Sequence, residues 1–484
     1  MRRLLQGGGV RMRYFEYFTE DEVRRIHEES LRLLETVGVD FGYAPAIEVL
    51  KKAGCRVEGQ RVFFSPKLVE AQVAKAPARY TLHARNPEKN VVIGGEHIAF
   101  IPCYGPPFVT DLDRGRRAST LEDYINFVKL GHASRTMDIT GGMMAEPNDI
   151  PHERRNAEMM YASMRYSDKP FMGGAIGAEA ARESIEMAAV LFGCSEAQLA
   201  EKPPMISILC TRTPLAYDER MLGAIMEYAK AGMPQLISSL AIAGATAPVT
   251  MEGTLLVQNT EVLAGIVLTQ LIREGTPVVF AGSSSSAAMR FGTLSIGAPE
   301  MAVNTAATAQ MARFYGIPSR GGGALSDAKL PDAQAGFESM MSQLMATLAG
   351  VHFVLHSAGI LESYMVSSYE KFVIDDEICG MCKRIKRGER VDEEQLVFEV
   401  IRQVGPGGEY LTHMHTFQNF RKEIYGAILE EKDSYANWRQ KGARPIDQRA
   451  NQKWKEILKA YQEPQLPAET EKALRRYMQR KYGG

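Results

Sequence analysis

The sequence predicts an α/β protein whose core is a parallel (β/α)8 barrel of the TIM type, and three observations point to this fold. First, from about residue 120 onward, short strand-like runs alternate with helical patterns. Second, several helical stretches end in glycine just before the next strand, as helix C-caps do. Third, the strand-like runs end in small residues, which is typical of a wide polar barrel mouth, although small residues also ease barrel packing.

Residues 1–119 are predicted to form a cap of helices followed by a small β meander. Thr19 precedes three acidic residues, which is the signature of a helix start, and this helix is predicted to stop at Gly38. From Tyr80 to Thr110 short apolar or alternating runs are separated by Asn-Pro and Gly-Gly turns, a pattern typical of strands.

The barrel is predicted to span residues 120–433. Its seven strand candidates are MDITGGM, KPFMGGAIG, PMISILC, MPQLISSLAI, PVVFAGSSS, IPSRGGG and VHFVLHSAG. Two stretches are open candidates for the eighth strand, which closes the ring: AFIPCYG, before the first helix, and EYLTHMH, after the seventh.

Residues 317–338, IPSRGGGALSDAKLPDAQAGFE, form the most distinctive stretch of the predicted barrel. They are interpreted as a short strand, a glycine turn, a polar loop and a helix that begins near Asp332. This order is typical of a loop at the catalytic end of a barrel. An ordinary polar surface turn is the alternative.

Residues 434–484 are predicted to form a polar helical extension that packs on the barrel or on a second subunit, so a homo-oligomer is expected. Its lysines and arginines are interpreted as a solvated face.

Bulk composition excludes several classes of protein. A formal net charge of −1 argues against a general nucleic-acid binder. No secretory apolar region and no run of 18 apolar residues is found, which favours a cytoplasmic protein without membrane spans. Six cysteines do not make a disulfide scaffold, and the CxxC pair Cys379 and Cys382 has no partner pair for a zinc site.

Common catalytic motifs are missing from the sequence. It contains no helix-opening GxGxxG with a following acid, no GxxxxGK[ST] loop, no HExxH and no Ser-His-Asp order. No nucleotide cofactor, no metal and no catalytic acid or base is therefore assigned.

Three motifs in order resemble the trimethylamine methyltransferase (MttB) superfamily: RGGGALSDAKLPDAQAGFESM, GILESYMVSSYEKFVIDDEI and GGEYLTHMHTFQNFR. The resemblance covers most of the chain and implies a TIM barrel. It also implies transfer of a methyl group from a methylated amine to the Co(I) of a separate corrinoid protein. The corrinoid would thus be supplied by a partner and not be bound tightly by this chain.

The founding members of that superfamily carry pyrrolysine in the loop that resembles residues 317–338, whereas this sequence has only standard residues. The resemblance therefore points to the non-pyrrolysine members, which act on quaternary amines such as glycine betaine, proline betaine or carnitine. A quaternary nitrogen already carries a positive charge and leaves as a neutral amine, so attack by Co(I) needs mainly positioning and desolvation.

A quaternary ammonium is best held by aromatic faces, and a carboxylate by cations or N–H donors. The aromatic candidates near predicted strand ends are Tyr104, Phe108, Phe291, Phe353, Tyr364 and Tyr369. The carboxylate-binding candidates are Arg320, Lys329 and His356, and Glu362 is a candidate for holding the ammonium. Each aromatic residue could instead pack in the core, His356 could be an ordinary buried histidine, and Lys329 could pair with Asp327.

Two other functions are compatible with a barrel of this kind. One is a zinc-dependent methyltransferase, but its possible ligands are widely scattered in sequence: Cys103, Cys210, His356 and His413. The other is a barrel that binds betaines without catalysis, because a fold does not determine function.

Overall fold

The computed structural model describes residues 13–483 and contains the predicted barrel. Eight parallel strands form one sheet, in the spatial order 99–100, 353–354, 319–320, 278–282, 235–239, 205–210, 171–172 and 140–141. A parallel bridge between Phe100 and Met137 joins the two edges of this sheet and closes the ring. The N–H of Asp138 donates to the carbonyl of Phe100 at 2.8 Å across the same seam.

The strand that closes the ring belongs to AFIPCYG, so the first of the two candidates is confirmed. The stretch EYLTHMH forms no strand but leads into a helix at Met414. The eight barrel strands are Ala99–Phe100, Thr140–Gly141, Phe171–Met172, Met205–Cys210, Gln235–Ser239, Val278–Gly282, Ser319–Arg320 and Phe353–Val354. The main helices that follow them are Leu121–Ala133, His152–Tyr166, Gly177–Phe192, Glu219–Lys230, Met251–Ile272, Pro299–Tyr315, Ala333–Ala349 and Tyr369–Arg387.

The barrel begins at Ala99, ahead of residue 120 where the sequence pattern placed it. A strand of two residues has no periodicity of its own, and Ala99–Phe100 follows directly on the strands of the cap. The division into residues 1–119, 120–433 and 434–484 stays a prediction.

The cap contains three helices, Glu20–Thr36, Ala44–Lys52 and Pro66–Val73, which pack on the outside of the barrel. Thr19 forms a capping box with Glu22, as the acidic run predicted. The cap strands are Val39–Phe41, Arg56–Glu58, Arg61–Phe63, Arg79–Leu82 and Val91–Gly94.

We call the end of the barrel at which the parallel strands have their carboxyl ends the mouth. The loops at this end contain further short strands. One sheet contains Phe108–Thr110, Arg117–Ala118, Ile360–Leu361 and Val366–Ser368. Another contains Ile242–Ala243, Ser285–Ala288 and Thr293–Ser295. Ala216–Tyr217 pairs with the cap strand Val39–Phe41 and so ties the cap to the barrel.

The C-terminal part is helical, as predicted. Ile446–Ala460 packs on the last barrel helix, and Ala468–Tyr482 packs on Gly177–Phe192. The shorter helices of the chain are Pro87–Lys89 (3-10), Glu196–Glu201, Glu393–Leu396, Phe398–Val404, Met414–Glu423 and Tyr435–Gln440.

Apolar side chains fill the barrel interior beneath the mouth, among them Met172, Ile206, Leu236, Val279 and Phe353. Among the described residues, one helix, Met251–Ile272, is long and apolar enough to cross a membrane. It lies in the helical layer of the barrel, and 78% of its most apolar window is buried, as in a core helix.

Candidate functional site: a buried polar cluster at the barrel mouth

The glycine turn after the seventh strand brings the following loop against the end of the eighth strand. Gly322 and Gly323 have φ angles of 65° and 122°, a region that other residues rarely adopt. A Cβ atom on Gly323 would collide with the carbonyl oxygen of Leu355. This close approach lets the N–H of Ala324 donate to the carbonyl of His356 at 2.9 Å.

The loop after the eighth strand contains three consecutive left-handed residues, Glu362, Ser363 and Tyr364, with φ angles of 51°, 52° and 75°. This conformation costs about 1–2 kcal/mol per residue for L-amino acids. Two backbone hydrogen bonds hold it: Glu362 N–H donates to the carbonyl of Ala328 at 3.1 Å, and Ser363 N–H to that of Ser326 at 3.3 Å. Strain of this kind is concentrated at functional sites, where surrounding structure maintains it.

Asp327 joins three loops of the mouth. Its carboxylate accepts hydrogen bonds from Ser363 Oγ at 2.7 Å, Ser295 Oγ at 2.7 Å and Ile296 N–H at 2.9 Å. Glu338, in the second turn of the next helix, accepts hydrogen bonds from Ser326 Oγ and from the N–H of Asp327. The helix begins after its N-cap residue Asp332, as predicted.

Arg320 lies at the mouth end of the seventh strand and is only 1% exposed. One terminal nitrogen donates to the carbonyl of Gly282 at 3.0 Å and to the hydroxyl of Ser283. Its Nε has no hydrogen-bond partner among the described residues. Burial lowers the pKa of the guanidinium, although it remains the cation of the cluster.

Tyr364 faces Arg320 from the left-handed loop. Its buried hydroxyl has no well-formed hydrogen bond within the described part of the chain. Burial raises the pKa of this hydroxyl to about 12, with the charge of Arg320 acting in the opposite direction. Arg320 and Tyr364 thus lie close enough to interact, but neither Nε nor the hydroxyl makes a well-formed hydrogen bond among the described residues. A buried polar group in this state is costly, and a ligand that bonds to both would remove the cost.

His356 completes the cluster. Its ring centre lies 4.7 Å from that of Tyr364, and its Nδ1 accepts a hydrogen bond from the N–H of Tyr104 at 3.2 Å. Burial, with a smaller contribution from Arg320, holds its pKa well below 6.5. The imidazole is therefore neutral near pH 7, and because Nδ1 accepts, its proton resides on Nε2.

Cys210 lies at the end of the fourth strand in the same region. Burial raises the pKa of its thiol, and Arg320 partly offsets this effect. The sequence suggested Cys210 only as a zinc ligand. Within residues 13–483 no group of three or more His, Cys, Asp or Glu side chains could hold a metal ion, and His413 caps a distant helix.

The structure separates the predicted site residues into two groups. It brings together Tyr104, Arg320, His356 and Tyr364. It places Phe108, Lys329, Phe353 and Glu362 elsewhere.

Phe108 and Glu362 form a rim contact through Arg116. The guanidinium of Arg116 lies 3.9 Å above the ring of Phe108, and its Nε donates to Glu362 at 3.1 Å. Both groups thus already have a cation of the chain itself as a partner.

Lys329 and Phe353 lie outside the cluster for different reasons. Lys329 is exposed, and its ammonium donates to the backbone oxygen of Asp327 at 2.6 Å. Phe353 is fully buried in the barrel interior. Two other aromatic candidates also lie elsewhere: Phe291 is exposed, and Tyr369 stacks on Phe127 in the core.

A cavity of about 240 Å³ opens beside Tyr104, between the helices that follow the second and third strands. Its inner wall includes Tyr124 and Met172, and its outer rim includes the exposed Glu153 and Glu179. The sequence analysis missed this cavity, because its lining comes from separate helices and strand ends that share no motif. Further carboxylates in its wall are those of Glu146 and Glu183.

The chain is similar to several known proteins. A model of the trimethylamine methyltransferase (MTTB) family matches residues 7–483. The chain is 50% identical to the glycine betaine methyltransferase of Desulfitobacterium hafniense (strain Y51), over 96% of both chains. It is 30% identical to the proline betaine:corrinoid methyltransferase of Eubacterium limosum, over 96% of this chain and 97% of that one.

Among solved structures, the Methanosarcina barkeri monomethylamine methyltransferase (MtmB) aligns with a TM-score of 0.53 at 12% identity. The alignment covers 92% of this chain and 89% of that chain, and it supports the fold alone. The sequence relatives confirm the prediction of a methyltransferase. The chain belongs to the trimethylamine methyltransferase family, as its three motifs predicted.

Proposed function

We propose that this methyltransferase transfers a methyl group from a carboxylate-bearing quaternary amine, with glycine betaine as the first choice, to the Co(I) of a separate corrinoid protein. The observation that carries the choice of donor is the buried pair Arg320 and Tyr364, whose Nε and hydroxyl lie near each other without a well-formed hydrogen bond among the described residues. A carboxylate is the ligand group that would satisfy both.

The cluster is chemically suited to a carboxylate. Arg320 offers N–H donors and a positive charge, Tyr364 offers a hydroxyl, and neutral His356 offers Nε2–H. Hydrogen bonds from an ionised donor to a carboxylate are about twice as strong as neutral ones. Burial strengthens them further, because water does not compete.

The positive end of the donor would lie against aromatic faces. The ring of Tyr364 lies beside that of His356, and Tyr104, whose backbone N–H contacts the same imidazole, is the second aromatic residue of the cluster. A quaternary ammonium over an aromatic ring gains about 0.5–2 kcal/mol, more when water is excluded. Arg320 would repel the ammonium, so the zwitterion would orient with its methyl groups away from the guanidinium.

The reaction needs no proton transfer. The C–N bond breaks with its electron pair left on nitrogen, which becomes a neutral tertiary amine, and the methyl group leaves as a methyl cation equivalent. The corrinoid supplies the electron pair for the new bond when it is present. The residues of this chain bind the carboxylate, orient the methyl group toward the mouth and exclude water.

The relatives support this proposal. The chain resembles a glycine betaine methyltransferase at 50% identity, against 30% for the proline betaine:corrinoid methyltransferase. The corrinoid protein as partner, with the corrinoid bound there and not tightly by this chain, is part of the proposal. The predicted homo-oligomer stays a prediction, which the next subsection develops.

The test is methyl transfer by the purified protein with reduced cobalamin or a cognate corrinoid protein. We expect glycine betaine to cause loss of the Co(I) absorption and to yield dimethylglycine, whereas trimethylamine gives neither. If betaines bind but none loses a methyl group, the chain is a binding barrel. If activity disappears together with stoichiometric zinc, the zinc-dependent alternative is right.

A further inference from the structure

Residues 388–421, which we call the arm, lie apart from the body of the protein. The arm contains the helices Glu393–Leu396 and Phe398–Val404 and most of Met414–Glu423. None of its residues is buried. Helices of this length are unstable in water unless a packed face supports them.

The arm is nevertheless rich in apolar side chains. Of the 26 large apolar residues that are exposed in the described chain, nine lie in these 34 residues. Such a density exceeds the scattered apolar residues of an ordinary monomer surface and marks an interaction site. The nine are Val391, Leu396, Phe398, Ile401, Tyr410, Leu411, Met414, Phe417 and Phe420.

The arm leaves the barrel at the end opposite the mouth. It follows helix Tyr369–Arg387, which starts at the mouth and therefore ends at the far side of the barrel. The ammonium of Lys386 lies 3.4 Å from the hydroxyl of Tyr14, and Tyr14 packs against Gly350 in the turn that leads into the eighth strand. The two ends of the arm lie close together, because the guanidinium of Arg387 donates a hydrogen bond to the carbonyl of Lys422 at 2.7 Å.

This position argues against a corrinoid protein as the partner of the arm, because the proposed reaction requires that protein at the mouth. That step rests on the proposed function. The charge pattern of the arm supplies an independent argument. Residues 389–409 carry six carboxylates and two arginines, whereas residues 410–421 carry Arg421 and no carboxylate, and Lys422 follows directly after the arm.

We propose that the arm is a dimerisation element that packs against the same arm of a second copy of this chain. In an antiparallel arrangement about a two-fold axis, the acidic first half of one arm faces the basic second half of the other. Such an interface is self-complementary and buries both apolar faces at once. It also leaves the two mouths at the outer ends of the dimer, free for their partner proteins.

Light scattering after gel filtration tests the proposal on the full-length protein. We expect a dimer for the wild type and a monomer for the double variant Leu411→Asp/Phe417→Asp, whose two side chains are 82% and 74% exposed. Phe291→Asp is the matched control, because Phe291 is 73% exposed on the loop after the sixth strand at the mouth. This control should remain dimeric.

Three outcomes overturn the proposal: a monomeric wild type, arm variants that remain dimeric, or a Phe291→Asp variant that becomes monomeric. Arm variants that keep their oligomeric state but lose methyl transfer to a corrinoid protein would also overturn it, since the arm would then bind that protein. The oligomeric state is measured without glycine betaine turnover. A result that contradicts the dimer can therefore be distinguished from a result that contradicts the proposed methyl donor.

Hydrogen exchange on the wild type provides a second measurement if the variants do not fold. Dilution through the dissociation range should accelerate exchange in helix Met414–Glu423 by at least about tenfold, with no change in the barrel strands. Exchange in that helix that does not depend on protein concentration contradicts the proposal.

Discussion

The hydroxyl of Ser363 donates a 2.7 Å hydrogen bond to Oδ1 of Asp327, and this bond joins the loops that follow the seventh and eighth barrel strands. The next residue along the chain is Tyr364, whose hydroxyl faces Arg320. The hydrogen bonds that the Asp327 carboxylate accepts come from the loops around it. This carboxylate fixes the left-handed turn that places Tyr364 in the site.

Replacing Asp327 by Asn should loosen this turn. The carboxylate accepts four hydrogen bonds, from Ser295 Oγ, Ile296 N–H, Gly297 N–H and Ser363 Oγ, and an amide has only one oxygen to accept them. We expect a loss of about 1–3 kcal/mol in the free energy of unfolding, together with weaker donor binding. Ser363→Ala removes one of these bonds and should cost less, and an equal cost for both would contradict the role as a junction of three loops.

Replacing Arg320 by Met should weaken the binding of ligands that carry a carboxylate more than the binding of ligands that lack one. Loss of a charged hydrogen bond costs about 1.5–3 kcal/mol, so glycine betaine should bind roughly 10- to 150-fold more weakly. Choline has the same ammonium without a carboxylate and should be affected far less. Calorimetric titration of both ligands measures the difference, with Lys329→Met as a control that changes neither. Equal losses for both ligands would refute the carboxylate site.

Two substitutions at Tyr364 should distinguish its hydroxyl from its ring. Tyr364→Phe keeps the aromatic face and should weaken only carboxylate-bearing ligands, by about 0.5–1.5 kcal/mol. Tyr364→Ala removes the face and should weaken glycine betaine and choline together, by about 0.5–2 kcal/mol for the ring. Unchanged affinity in the alanine variant would remove Tyr364 from the site.

The depressed pKa of His356 predicts a dependence of stability on pH. In the unfolded chain the imidazole of His356 takes up a proton near pH 6.5, whereas in the folded protein it does so only at a much lower pH. The free energy of unfolding is therefore highest above pH 6.5 and decreases as the pH falls below that value. Each such histidine contributes up to about 1.4 kcal/mol per pH unit. His132 and His352, whose pKa values burial lowers to about 4, act in the same direction.

His356→Asn isolates the contribution of His356. Asparagine tolerates the left-handed backbone, at φ 64°, and does not titrate. Urea unfolding at pH 7.5 and 5.5 should show a smaller loss of stability for this variant than for the wild type. An identical loss would mean that His356 is protonated in the folded protein.

The barrel, and the convergence of Arg320 and His356 at its mouth, were predictable from the sequence. Arg320 ends the seventh strand and His356 follows the eighth. The carboxyl ends of parallel barrel strands converge at one mouth, so the proximity of the two residues follows from topology. Phe353 was predicted to line the pocket because it stands at the end of a strand-like run, and its strand has only two residues. Phe353 does face the inside of the barrel, but it is fully buried there among Met172, Ile206 and Leu236. How deep a side chain lies below the mouth depends on the packing of the closed ring, which so short a strand does not reveal.

Other features had no local signal in the sequence. The left-handed turn at Glu362–Tyr364 contains no glycine or asparagine, so its composition does not predict positive φ angles. Arg116 stacks on the ring of Phe108 and forms an ion pair with Glu362, which lies 246 residues further along the chain. Contacts of this kind depend on the packing of the complete barrel.

The seam of the barrel has a consequence for biosynthesis. The strand Ala99–Phe100 pairs on one side with Phe353–Val354 and bridges Met137 on the other, so the ring cannot close until residue 354 has left the ribosome. Until then the nascent sheet exposes two unpaired edges, which are prone to intermolecular pairing. We expect slower translation or added chaperones to raise the soluble yield of this protein, and chains truncated before Phe353 to aggregate.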